Sequence, residues 1–297
     1  MGYYDRYYRA VVQQVIRRSP HLVRVVLGGA DLASFTGSGV ADERLVVVFP
    51  RPGESEPPAP VETAGGRQDY PEDADAPPMR SITVRSWSAE RPEIVLDIVP
   101  HEGGVAGPWA RTAQPGQVVY LTEARGWYAP PAEAAWQLLV ADLTGLPALE
   151  RIVEELPAGA RAYVIVEVLD PADRPRLASA ATIVSRCLVG SGHGRGPSRL
   201  LSAIRELSWP DGPGYVWFAG EAAESRAVRK YLRRERNWPR DHSTILGYWR
   251  VDQEAWLARY ARVGPELEQV YARAVAAGTP SDEALEMYDD AVEAAGL

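Results

Sequence analysis

From Trp136 to Leu156 the chain reads WQLLVADLTGLPALERIVEEL. A largely apolar run ends at Asp142, and after a short turn Leu146, Leu149, Ile152, Val153 and Leu156 recur at helical spacing. A buried strand followed at once by an amphipathic helix is the opening half of a βαβ unit. The rhythm continues. AYVIVEV (162–168), ATIVSRCL (181–188) and YVWFAG (215–220) alternate with the helical stretches SRLLSAIREL (198–207) and EAAESRAVRKYLRRER (221–236). The expected fold is a parallel sheet covered by helices, with ligands beyond the carboxyl ends of its strands.

Upstream of Trp136 the pattern is different. Ala10–Val15, Leu22–Gly28, Arg44–Phe49, RSITVRSW (80–87), PEIVLDIVP (92–100) and QVVYLT (117–122) are short β-branched segments with hardly any helix between them. Six such strands predict a small antiparallel barrel. Arg51–Met79 holds seven Pro, seven acids and two Arg without apolar periodicity, and reads as a disordered or loosely held loop. The boundary between barrel and sheet falls in RGWYAPPAEAA, near Tyr128 to Ala135. The expected division is a barrel domain over 1–130, an α/β domain over 131–251 and an acidic helical extension over 252–297, with helices near Gln253–Ala277 and Ser281–Ala295.

Composition narrows the chemistry. The 297 residues carry a formal charge of −8, but the loop contributes −5 and the extension −7, so the rest of the chain is near +4. That balance argues against nucleic acid as a partner and leaves room for small anions. A single cysteine, Cys187, excludes an internal disulfide, a multi-Cys zinc site and an iron–sulfur cluster. His21, His101, His193 and His242 lack zinc spacing, so no metal site is expected. No apolar run reaches membrane length and the N-terminus is too polar for a secretion signal, which makes a cytoplasmic protein the expectation.

VGSGHGRG (189–196) misses the G-x-G-x-x-G spacing in both registers and reads as an ordinary loop. The cations of Arg226–Arg236 read as a solvated helix face, a kind of face that could also hold phosphates. More informative is a barrel strand with Arg80, Thr83 and Arg85, a strand ending at His101, then glycines leading into GPWARTAQPG (107–116). Arginine offers a planar fork for pyrophosphate, and a helix start presents free N–H groups. In a barrel followed by a parallel α/β domain, this combination points to a flavin on the first domain and a nicotinamide nucleotide on the second.

With these motifs in order, the chain resembles the siderophore-interacting, FAD-binding ferric reductase family of the ferredoxin reductase-like fold. RSITVR (80–85) is similar to its R-x-Y-T-x-R, DIVPHEGGVAGPWA (97–110) to its D-x-x-x-H, Gly-rich turn and W-A, and ADLTGLPALERI (141–152) to its G-D-E-T-A-L-P-A-I. AGEAAESRAVRKYL (219–232) matches the A-G-E region and GYWR (247–250) the closing G-Y-W-R.

The resemblance implies that Arg80 contacts FAD phosphate, that Ser81 is among the cofactor-binding residues, and that Ile82 and Thr83 lie along the isoalloxazine with Thr83 near its reactive N5. Asp97, Val99 and His101 would line the ribityl and adenine side, and Gly104, Val105, Ala106 and Trp109 the pyrophosphate turn. Asp142, Thr144 and Pro147, with Gly220 and Glu221, would stand at the nicotinamide, and Trp249 would close over the flavin. Arg125 and Arg250 match basic positions that hold an anionic ferric siderophore, and Arg44 is the nearest cation to a further family lysine that falls on Val46. The chain departs from the pattern at Ile82 (Tyr in the family), Leu143 (Glu), Val46 (Lys) and in the length of the glycine turn after His101.

The implied activity is an NADH- or NADPH-dependent ferric-siderophore reductase. A redox-inactive siderophore-binding module and a flavin reductase with another acceptor are the alternatives. Arg195, Arg199, Arg226 and Arg229 are the candidates for choosing between the two nucleotides.

Overall fold

The computed structural model describes residues 6–63, 67–70, 76–100 and 104–297. The first half is built from β1 (Tyr7–Ser19), β2 (Leu22–Gly28), β3 (Arg44–Val48), a two-residue pair β4 (Val61–Glu62) and β5 (Gln68–Asp69), β6 (Met79–Ser88), β7 (Glu93–Ile98), α1 (Ala106–Thr112) and β8 (Val118–Thr122). Six of these strands close an antiparallel barrel in the order β1-β2-β7-β6-β3-β8. Alternation sends Val25, Leu27, Val47, Val84, Leu96, Val119 and Leu121 into a fully buried core. Trp109 of α1 joins this core, its ring 5.0 Å from that of Phe49.

The described part of the acidic loop is anchored to the barrel. Its β4–β5 pair is followed by Tyr70, which is buried with its ring edge-on to Tyr7 at 5.3 Å and its hydroxyl donating to the Pro58 carbonyl at 2.8 Å. One aromatic anchors this described part of a polar stretch, and hydropathy averaged over the loop hides such a residue.

The second half contains β9 (Trp136–Ala141), α2 (Leu146–Glu155), β10 (Arg161–Val168), β11 (Thr182–Val189), α3 (Leu200–Arg205), β12 (Gly214–Glu221), α4 (Ala222–Lys230) and β13 (Ser243–Trp249). All five strands are parallel, in the order β11-β10-β9-β12-β13. The fifth strand was not among those expected, because STILGYW ends in the GYWR motif and no helical segment follows it within the sheet. Leu138 and Val140 face α3 and α4, while Leu139 and Ala141 face α2. The α2 side also gathers Leu22, Ala41 and Val99 from the barrel half, so one apolar cluster spans both halves.

Ion pairs reinforce that junction. Asp97 and Glu150, whose side chains are fully buried, receive Arg18 at 2.6 and 2.9 Å; Arg24 binds Asp97 at 2.8 Å, and Arg85 reaches Glu150 at 3.4 Å and Glu154 at 2.5 Å. Burial works against the Arg18 charge, yet Glu150 and Asp97 more than offset it and its pKa is raised. Arg151 of α2 likewise donates to buried Glu43 at 2.8 Å and to the Val84 carbonyl at 3.0 Å.

A hairpin of α5 (Gln253–Ala276) and α6 (Ser281–Ala294) closes the chain, as the extension predicted. No helix among the described residues is long and apolar enough to cross a membrane.

Candidate functional site

The sheet order creates a crevice. From β9 the chain moves outward to β10 and β11, then returns to β12 on the other side of β9, so the loops after β9 and β12 diverge. Asp142 follows β9 and Gly220 lies near the end of β12. Gly145 must lack a side chain, because a Cβ there would run into the Ala219 carbonyl of the neighbouring strand. At Gly220 a Cβ would sit 3.1 Å from Asp142 Oδ2.

Asp142 is buried and heavily bonded. Its Oδ1 accepts from Thr144 N (2.7 Å), Thr144 Oγ1 (2.6 Å) and Gly145 N (3.2 Å), and its Oδ2 accepts from Trp249 Nε1 at 2.5 Å. The ring of His193 lies 4.8 Å from that of Trp249, presented by the Gly190–Gly194 loop with a left-handed backbone of φ 53°. The expected ordinary loop therefore packs on the crevice.

Burial pushes the Asp142 carboxyl above the usual carboxylate range, against the pull of its hydrogen bonds. The folded chain then holds this proton more tightly than the unfolded chain. Stability from this group is present at low pH and is lost as pH rises from about 4 through the folded pKa. Asp142→Asn should remove that slope, so wild type loses stability relative to the variant as pH rises; urea unfolding between about pH 4.5 and 7 checks this, and parallel curves would refute it.

The barrel supplies the opposing wall. Arg44 of β3 pairs with Thr83 of β6 and forms an antiparallel bridge with Arg125, N to O at 2.8 Å both ways. The Arg44 guanidinium is sandwiched, 4.5 Å from the Trp127 ring and 4.4 Å from the Tyr248 ring. Tyr248 brings its hydroxyl beside Thr83 without a well-formed hydrogen bond, and burial raises its pKa. Buried Asp42 holds this wall in place. One oxygen accepts the N–H groups of Trp127 and Tyr128 (2.7 and 2.8 Å) and the other accepts Trp217 Nε1 from β12 (2.9 Å).

The structure thus brings together Thr83, Arg44 and Arg125 on one wall and Asp142, Thr144, Gly220 and Trp249 on the other. Pro147 opens α2 just behind Asp142. Arg80 and Ser81 are exposed on β6, with Arg80 Nη1 donating to the Met79 carbonyl at 2.6 Å. Gly104, at φ 79°, with Val105 and Ala106 forms the turn into α1. His101 lies outside the described residues.

Other expected site residues have partners within the protein. The Asp97 carboxylate binds Arg18 and Arg24, and Arg85 binds Glu150 and Glu154; Val99 is buried in the apolar cluster. Ile82 packs against the barrel core, because alternation turns it away from Thr83. Leu143 is fully buried against α2, so the acid of the family pattern is replaced by core packing. Trp249 bonds Asp142 in the crevice, and its neighbour Tyr248 is the aromatic facing the barrel. Glu221 caps α4, accepting from Ala223 N and Glu224 N. Arg250 stacks on Trp256 of α5 at 3.9 Å.

Nor is the Arg226–Arg236 face fully solvated: Arg229 meets Asp289 and Arg226 donates to the Leu297 carbonyl. Of the four arginines named for nucleotide choice, Arg199 is also engaged, with Ser191 and the Val189 carbonyl, while Arg195 is exposed. Trp127, Tyr248 and Asp42 were not anticipated. The aromatic pair in RGWY and the tyrosine of GYWR were the available signals.

A flavin fits this junction. Among the buried side-chain atoms that lack a hydrogen-bond partner in the described residues, Arg44 Nε and Tyr248 OH lie on this wall and Trp109 Nε1 lies in the barrel. Buried polar atoms are normally satisfied, and unpaired ones such as these are what a polar ligand would engage. No cluster of metal-ligating side chains occurs among the described residues.

Comparison with known proteins agrees with the geometry. Residues 11–128 match a siderophore-interacting FAD-binding domain and residues 134–252 match the siderophore-interacting protein family. The ferric vibriobactin reductase ViuB of Vibrio cholerae is 32% identical over 235 residues, 78% of this chain and 85% of that protein. The NADPH-dependent ferric-chelate reductase of Escherichia coli is 29% identical over 247 residues, 82% and 93% of the two chains. A siderophore utilization protein from T. fusca superposes with a TM-score of 0.74 at 32% identity, covering 84% of this chain and 95% of that one.

Proposed function

Because the chain belongs to the siderophore-interacting protein family, through matches to both of its halves, we propose that it is an NAD(P)H-dependent ferric-siderophore reductase. It is a flavin oxidoreductase with FAD and NAD(P)H as cofactors. The observation that carries the finer reading is that consecutive residues join two half-sites: Tyr248 touches Arg44 beside Thr83 on the barrel wall, and Trp249 bonds Asp142 in the sheet crevice. Adjacent Cα atoms are about 3.8 Å apart. A flavin on the first wall and a nicotinamide in the second would therefore be in reach of each other.

Bound FAD would supply hydride acceptance and single-electron release to Fe(III), which hard oxygen chelators hold better than Fe(II). The chain's residues do the rest. Arg80, exposed on β6, offers a fork to a pyrophosphate, and Ser81 and the backbone of the Gly104–Ala106 turn would add further polar contacts to the cofactor. Thr83 presents its hydroxyl to the flavin edge. Asp142, Thr144 and Gly220 shape the nicotinamide crevice, and Trp249 fills it until the nucleotide enters. Residues 1–130 act as the FAD module, 131–251 as the NAD(P)H module and 252–297 as an appended hairpin.

Arg44 and Arg125 hold the anionic iron chelate at the rim. A fixed pair of cations raises its capture rate in a salt-dependent way. Arg44→Ala and Arg125→Ala are each expected to raise KM for an anionic ferric chelate roughly tenfold, about 1.4 kcal/mol, with kcat nearly constant and a neutral chelate little affected. Steady-state kinetics at low salt measures this; equal losses on both chelates would remove the two arginines from the substrate site.

A further inference from the structure

The α5–α6 hairpin is fastened to the body by charge. Its buried apolar residues, Leu267 and Ala274 on α5 with Ala284 and Val292 on α6, belong to none of the clusters that fill the barrel or cover the sheet. Its bonds to the body are ionic or polar. Arg229 pairs with Asp289, Arg234 with Asp290, Lys230 with Glu293 at 2.9 Å, and Glu286 receives both Arg233 (3.2 Å) and Arg240 (2.6 Å). Arg226 Nη2 donates to the Leu297 carbonyl at 2.9 Å. The pairs Arg234–Asp290 and Lys230–Glu293 are about half exposed, Arg234 at 53% and Glu293 at 63%, so salt screens them, while Arg229–Asp289 and Arg233–Glu286 are more buried and screened less. The family match ends at residue 252, where the hairpin begins.

The same hairpin is wired to the crevice. Trp249, bonded to Asp142, is followed by Arg250, stacked on Trp256 of α5, and by Asp252, which turns the chain into α5 with a left-handed backbone of φ 49°. Val251 N also donates to Glu221 at 3.3 Å. Three residues separate the indole that fills the crevice from the first turn of the hairpin, too few to let one move far while the other is clamped.

We propose that the α5–α6 hairpin is a salt-labile electrostatic latch whose docking on α4 holds Trp249 against Asp142 and restrains entry to the crevice. That the nucleotide is what enters rests on the functional reading above; the latch itself does not.

The test uses the full chain and a variant neutralised on the docking face of α6, Glu286→Gln/Asp289→Asn/Asp290→Asn/Glu293→Gln. Amide hydrogen exchange over residues 281–294 reads docking, and KM and kcat for NADH and NADPH read access. In wild type at about 50 mM NaCl the α6 amides should be protected. The variant at the same salt, or wild type at about 1 M NaCl, should exchange at least tenfold faster there, with the protection of β9 and β12 retained. The variant should bind the nucleotide with a several-fold lower KM at unchanged kcat. Equal α6 protection in all three samples would overturn the latch, and faster exchange with unchanged KM would overturn its link to Trp249. Wild type unreduced by either nucleotide would instead count against the functional reading, while the exchange data still judge the docking.

Discussion

Asp97→Ala is expected to destabilise the folded chain by about 3–5 kcal/mol, the cost of stranding buried charges. Three arginines, Arg18, Arg24 and Arg85, meet three carboxylates, Asp97, Glu150 and Glu154, where β1, β2, β6 and β7 of the barrel face α2. Asp97 is at the centre of this set and its side chain has no exposure, so water cannot take its place. Without it Arg24 loses both of its bonds and Arg18 its shortest one. Asp97→Asn keeps the shape and loses the charge, and should fall between. Urea unfolding measures the effect, and a fall in Tm of roughly 10 °C should accompany it; a loss below about 1 kcal/mol would mean that the cluster is solvated and does not tie the two halves together.

Gly220→Val should cut kcat/KM for NADH and NADPH at least a hundredfold, about 2.7 kcal/mol of transition-state binding. Gly220 faces the carboxylate that marks the crevice, and even a Cβ would stand 3.1 Å from Asp142 Oδ2 and 3.3 Å from the Phe218 ring. The two methyl groups of valine would take up the space next to the Asp142–Trp249 bond. Flavin content, and reoxidation by a ferric chelate after chemical reduction with dithionite, should be unaffected because the barrel wall is untouched. Loss of flavin together with turnover would show that the substitution had disturbed the junction itself. Undiminished reduction by both nucleotides would put the nicotinamide somewhere other than this crevice.

Much of this architecture was legible in the sequence because it is written in short-range periodicity. Leu138 and Leu139 sit side by side and face opposite layers, which is why WQLLVA has no polar alternation and reads as a strand covered on both sides. The six barrel strands were readable for the same local reason. Partnerships across long separations were not. Arg229 looked like part of a solvated face since Asp289, its partner, lies sixty residues further on. Asp97 sits in a motif that resembles a cofactor-lining pattern, and only the fold reveals that Arg18 and Arg24 occupy it.

The candidate site divides along the same line. Asp142, Thr144 and Gly220 lie at or just past strand ends, where motif and topology coincide, whereas Thr83 lies mid-strand on β6 opposite Arg44. Tyr248 and Trp249 illustrate the difficulty: adjacent side chains on a strand point to opposite sides, so the choice of which aromatic meets the barrel depends on register. Ile82 lies one position out of phase with Thr83 and packs on the barrel core. The Trp127–Arg44–Tyr248 sandwich joins three separate segments and leaves no signature in any one of them.

The most direct test is anaerobic rapid mixing of the FAD-loaded protein, first with NADH or NADPH and then with a ferric hydroxamate or catecholate chelate, with Fe(II) captured by a coloured trap. The predicted result is bleaching of the yellow flavin absorbance by at least one nucleotide, then its return at a rate that rises with chelate concentration, with about two Fe(II) released per flavin. A protein that takes up no FAD, or one whose reduced flavin a ferric chelate fails to reoxidise, would contradict the assignment as a ferric-siderophore reductase.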